Sequence, residues 1–273
     1  RDVAPSRGLG DVYKRQPASQ LQDLRKALYQ SVFGCGHLIT DTSAAAEGIR
    51  REAAEAGPCS REIEALDGPW SRVHLGVLAD GLTPETLSRM FARSAAMPHG
   101  DADALQEKLT VLRRLIHSGA LPYSPAEADA ELDDWQKNGF PSCHHSDEYR
   151  AAYRPAYRVL HRTYVRLLPL LAAIDRALAE NPRVLLAIDG GAASGKSTLA
   201  DLLTAIYPDT ALFHADDFFL RPEQRTAARY AQPGGNLDRE RLESEILAPI
   251  SRNEVAIYPV SYTHLRAHET ELH

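Results

Sequence analysis

The chain has 273 residues and a formal net charge of -6, with 44% hydrophobic and 25% charged residues. That balance excludes a collagenous, low-complexity or wholly disordered chain and gives no whole-chain basic footprint for nucleic acid. Three scattered cysteines, Cys35, Cys59 and Cys143, exclude a disulfide framework and point to a reducing, cytoplasmic setting. No apolar run approaches the roughly 20 residues that span a bilayer.

The two ends read differently from the middle. The strings Gly8 to Gln16 and Val260 to Thr270 resemble translated sequencing adaptor. The expectation is that residues 1–16 and 260–273 are cloning scars and that the frame is truncated at both ends. Fold reasoning then applies to residues 17–259.

Residues 17–181 read as a mostly helical domain. Leu21, Leu24, Leu28 and Val32 share one helical face, and Gly34 and Gly36 break the period. A second helix follows Thr42-Ser43 to about Ala56. Gly57-Pro58 and Gly68-Pro69 mark a loop. Thr83-Pro84 signals a cap and a first-turn proline, with a helix to about Ala95. Leu105, Leu109, Leu112 and Ile116 predict a helix over 101–117, and Ser124-Pro125 opens another to about Lys137. Tyr149, Tyr153 and Tyr157, each followed by Arg, are spaced for one helical face that Pro155 splits. A long helix is expected from Ala156 to Ala179, bent near Pro169.

A domain boundary is placed at Asn181-Pro182. Beyond it, Arg183 to Asp189 reads as a buried parallel strand. A glycine-rich loop, an apolar helix (Leu199, Leu202, Leu203, Ile206) and a further strand at Ala211 to His214 follow, as at the start of a βαβ unit. The fold class expected is an α/β P-loop domain over 182–259, its parallel sheet incomplete, behind a mostly α-helical N-terminal domain.

Gly190-Gly191-Ala192-Ala193-Ser194-Gly195-Lys196-Ser197 fits the phosphate-loop pattern, and Thr198 continues into the helix. Glycines let backbone N–H groups turn toward phosphates, and the helix N-terminus adds partial positive charge. Lys196, one of only 5 Lys against 26 Arg, is placed to neutralise phosphate oxygens, and Ser197 to ligate Mg²⁺. The bland alternative is a strand–helix turn that binds nothing. Asp216 and Asp217 follow the second expected strand, at the sheet edge where such folds bind ligands. A carboxylate there accepts a hydroxyl proton from a small substrate; alternatively the pair caps a turn.

These residues together resemble the uridine kinase group of P-loop kinases, with phosphoribulokinase and bacterial pantothenate kinase as relatives. The resemblance implies ATP and Mg²⁺ as cofactors and a pyrimidine nucleoside as phosphate acceptor. Asp216 matches the family's catalytic base, with Lys196 as its catalytic partner, and Phe218 matches an aromatic neighbour. Pro233 to Asp238 is similar to a segment near the nucleoside, which makes Asn236 and Asp238 substrate candidates; Leu237 departs from the usual aromatic. Arg221-Pro222, Arg225-Thr226 and the Tyr-Arg run are similar to a subgroup with a long N-terminal extension. The family's later acidic Mg²⁺ ligand and arginine-bearing lid belong after residue 259, so this chain is expected to bind nucleotide weakly without turnover.

Other patterns stay open. Cys35, His37, Cys143, His144 and His145 have the residue types of a zinc site but no closed motif. The Tyr-Arg run suits either a stacking face for nucleic acid or a packed helix with solvated arginines. The acidic balance weighs against the former. A nucleotide-responsive binding protein, with the helical domain recognising a partner, is the alternative function.

Overall fold

A computed structural model describes residues 16–35 and 42–252. The adaptor-like ends and the candidates Gly36 and His37 lie outside the described residues. The chain divides into two compact units at Pro208–Asp209.

The first unit holds two apolar cores. Helix α1 (Leu21–Phe33) ends at Gly34, whose φ of 62° favours glycine; a Cβ there would sit 2.6 Å from the Trp70 ring. Leu21, Leu24, Leu28 and Val32 of α1 pack on Leu105, Leu109, Leu112 and Ile116 of α4 (Ala102–His117) and on Leu132 and Trp135 of α5 (Pro125–Lys137). The second core lies between α2 (Thr42–Ala56), α3 (Pro84–Ala95), α8 (Leu168–Glu180) and a small sheet. Caps match their residue types: Thr83 accepts from the Thr86 amide, and Asp101 from that of Ala104.

The sheet departs from expectation. It is antiparallel, in the order β1 (Ile63–Ala65), β2 (Trp70–His74), β3 (Tyr157–His161), with Ile63 opposite Val73 and Trp70 opposite His161. Residues 157–161 are therefore strand rather than the start of a long helix. Pro155 ends α6 (Asp147–Tyr153), and the chain re-enters helix only at α7 (Arg162–Val165) and α8. The tyrosines of the Tyr-Arg run do not share one helix: Tyr149 and Tyr153 lie on α6, Tyr157 on β3.

No parallel sheet occurs among the described residues. Arg183 to Asp189 joins no ladder, and Leu185 and Leu186 are 66% and 47% exposed. Ala211 to His214 is likewise outside any strand and belongs to the second unit. A strand is defined by its ladder to a neighbouring strand, and among the described residues neither segment pairs in one. The helix after the glycine loop, α9 (Lys196–Ile206), instead buries Leu203 and Ile206 in the second core. That packing carries the first unit past Asn181-Pro182 to Pro208.

The second unit is small. Its centre is Phe218, Leu220 and Ile246. Phe219 forms an antiparallel bridge with Leu237, and the Leu220 amide donates to the Asn236 carbonyl at 3.0 Å. Short helices α10 (Ala227–Tyr230), α11 (Arg239–Leu242) and α12 (Ala248–Ser251) complete it. Gly235 fits because its Cβ would lie 2.0 Å from the Arg229 carbonyl oxygen.

Candidate functional site

The glycine loop closes on itself. The Asp189 carboxylate accepts from the Gly190 amide at 2.7 Å, and the Gly191 carbonyl from the Ser194 amide at 3.3 Å. Ala193 takes φ 56° and Gly195 φ 89°, the second opening α9 as its N-cap. A non-glycine residue in the left-handed region costs about a kcal/mol or more, which the turn absorbs. The Lys196 ammonium folds back over the loop and donates to the carbonyls of Gly190 at 2.7 Å and Gly191 at 2.9 Å. It has two neutral acceptors and, among the described residues, no carboxylate partner. Ser197 and Thr198 are exposed on the first turn of α9, where backbone amides lack helical acceptors. This donor set of open amides, an ammonium and an exposed hydroxyl fits a phosphate with its Mg²⁺.

The far end of α9 is held firmly. Tyr207 caps the helix, and its hydroxyl donates to Asp175 of α8 at 2.8 Å. Asp175 is buried and also accepts from the Thr83 amide and hydroxyl and from the Thr86 hydroxyl. Burial, and then the Asp175 carboxylate, push the Tyr207 phenol far above its ordinary range. Arg93 of α3 donates to the Ala205 carbonyl at 3.2 Å, serving the negative end of the helix.

Asp216 and Asp217 lie in the second unit, on a single 3₁₀ turn over Ala215–Phe218. Asp216 is exposed. Two of the expected substrate contacts are structural in this chain. Phe218 is wholly buried, with the Arg241 guanidinium 4.9 Å from its ring centroid, so its face is not open to a nucleoside. Asp238 is buried as the N-cap of α11, accepting from the Arg241 amide at 3.1 Å, and its own amide donates to the Phe218 carbonyl at 2.6 Å. Asn236 is exposed, and Glu240, gripped at both oxygens by Arg229, has its carboxyl pulled down to about 2.

A polar chain not foreseen from the sequence crosses the first unit. Arg72 donates to Gln30 Oε1 at 3.0 and 3.1 Å, and Gln30 Nε2 reaches the Tyr157 hydroxyl at 3.3 Å. That hydroxyl lies 2.6 Å from His145 Nε2, and His145 Nδ1 lies 2.8 Å from Asp23. Burial holds His145 down to about 4, with the Asp23 hydrogen bond opposing, so the ring is neutral. Burial pushes the Asp23 carboxyl up, but the Ser146 hydroxyl, the Gln20 amide and His145 outweigh it and leave it below its ordinary value. A neutral ring beside a carboxylate carries its proton on Nδ1, so Nε2 accepts from Tyr157. The chain thus runs from a cation to an anion with each hydrogen assigned.

His145 therefore has no nitrogen left for a metal. Cys35, Cys143, His144 and His145 do border one cavity, but no group of three or more potential ligands converges among the described residues. Nor is any helix among the described residues long and apolar enough to cross a membrane. Comparison with known proteins finds no matching family, no matching curated protein and no matching solved structure.

Proposed function

We propose that the chain carries the phosphate-binding part of an ATP-dependent kinase of P-loop α/β type that phosphorylates a hydroxyl of a small molecule, a pyrimidine nucleoside above all. The observation that carries the reading is the Lys196 ammonium arched over the Gly190 and Gly191 carbonyls in a loop that opens α9. Residues 190–198 would hold the phosphates, with Ser197 on Mg²⁺, which supplies charge neutralisation at the transferred group. Asp216 takes the proton of the attacking hydroxyl, whose oxygen bonds the γ-phosphorus as the bond to ADP breaks. Such chemistry rests on positioning and charge, so few groups are required. The setting of such an enzyme is cytoplasmic.

The packing of α9 into the helical core favours a second reading, in which the loop is a nucleotide-responsive switch for partner binding. Calorimetric titration with Mg-ATP and with uridine separates the two. The kinase reading expects weak Mg-ATP binding that falls tenfold or more in Lys196→Ala and survives in Asp216→Asn, and uridine binding that Asp216→Asn weakens. Mg-ATP binding with no uridine binding favours the switch. No binding by the unaltered chain overturns both.

A further inference from the structure

A cavity of about 750 Å³ opens in the first unit between α1, α2, α6 and β3. It lies among elements that the phosphate loop does not use. Its volume is that of a site for a small organic molecule rather than for a lone ion.

The wall is positively charged and incompletely paired. Lys26, Arg150, Arg154 and Arg158 line it, against Glu52 and Glu55. Glu52 is already bound by Arg158 at 2.5 Å. Among the described residues, Lys26, Arg150 and Arg154 form no ion pair with a carboxylate. The Lys26 ammonium donates, among the described residues, to the Cys143 carbonyl, at 3.3 Å. Burial pushes this lysine below its ordinary range, Arg72 and Arg150 push it the same way, and Cys143 and Asp23 oppose them. Like charges are therefore close together in a partly dry place, which costs free energy that an anion would offset.

The floor is rigid. His145 and Tyr157 border the cavity and are fixed by the hydrogen-bond chain to Asp23, and Tyr29 and Phe91 add aromatic surface. Arg154 is held in the left-handed region, at φ 42°, directly before Pro155. Sparsely populated backbone of this kind persists where the surroundings over-determine it.

We propose that this cavity binds a small phosphorylated molecule at a site separate from the glycine loop. Three cations without carboxylate partners call for more than one negative charge. A phosphate monoester carries about -1.5 to -2 near neutral pH and offers three acceptor oxygens. Guanidinium forks match such oxygens in pairs, and the aromatic surface takes the organic part.

The test is calorimetric titration of the full chain with inorganic pyrophosphate, with citrate as the carboxylate control. Arg150→Gln/Arg154→Gln is compared with Lys196→Ala. The proposal expects a pyrophosphate site that survives Lys196→Ala and weakens about tenfold or more in the double variant. It is overturned if Lys196→Ala removes all pyrophosphate binding, if the double variant keeps full affinity, or if citrate binds as tightly. Circular dichroism establishes whether the double variant is folded. If it is not, Arg150→Gln alone, on the exposed face of α6, gives the same reading.

Discussion

The Tyr207 hydroxyl donates to the Asp175 carboxylate at 2.8 Å and so ties the C-cap of the phosphate-loop helix to α8. Asp175 holds Thr83 as well, at the cap of α3. One buried carboxylate in the middle of α8 thus organises the ends of two other helices, and it is tolerated inside because each oxygen is served by donors.

Tyr207→Phe removes one of those donors without opening a cavity. The expected loss is about 2 kcal/mol, the scale of a hydrogen bond to a charged group. Asp175→Ala costs more, about 3 kcal/mol or above, because three hydroxyls and an amide lose their acceptor together. Urea unfolding of the two variants checks the order. A Tyr207→Phe chain as stable as the parent would mean that the contact contributes nothing.

Acid acts on the first unit through His145. In the fold its pKa is about 4, against an ordinary 6.5, so the unfolded chain binds the proton first. Stability is then full above about pH 6.5 and falls as the pH drops toward 4, by roughly 2–3 kcal/mol. Asp23 acts below that window. Its carboxyl is depressed, so the stability it adds is present above its ordinary value of 3.8 and lost on further acidification. Thermal melts between pH 7 and pH 4 should show a falling Tm, and His145→Gln should flatten the slope from 6.5 to 4. Equal slopes for parent and variant would remove His145 from the account.

The helices were legible because their signals are local. Leu105, Leu109, Leu112 and Ile116 name a face, and Thr83-Pro84 and Asp101 name starts. The sheet was hidden for a physical reason. Trp70, Ser71, Arg72 and Val73 are all buried, so β2 shows no alternation of apolar and polar residues. Its Arg72 is served inside by Gln30, 42 residues away, as well as by Glu64 of β1 at 3.5 Å. Nothing local marks such a pair. Tyr157 to His161 reads as helix from sequence because it runs without a glycine or proline break into the apolar stretch that forms α8, and length alone does not separate a short strand from the helix that follows. Within the candidate site, the loop from Gly190 to Ser197 was readable from its pattern. The burial of Phe218 was not, because it depends on Arg241, 23 residues further along the chain; the cap at Asp238 is local, but the four-residue helix it opens is too short to show a period.

Leu185 and Leu186 provide a direct check on the stretch before the loop. Both are exposed, so neither adds to a core. Leu185→Ser and Leu186→Ser should each leave stability within about 0.5 kcal/mol of the parent. A fall of about 2 kcal/mol or more, the scale of a buried leucine, would show that this segment is packed in solution.

α9 has 11 residues and so spans about 16 Å, with its two ends under different masters. The first turn belongs to the phosphate loop; the last is gripped by Arg93 and by Asp175 through Tyr207. A stiff rod pinned at one end has little freedom at the other. The loop is therefore aimed by the helical core, and a substitution at Asp175 moves the muzzle without touching it.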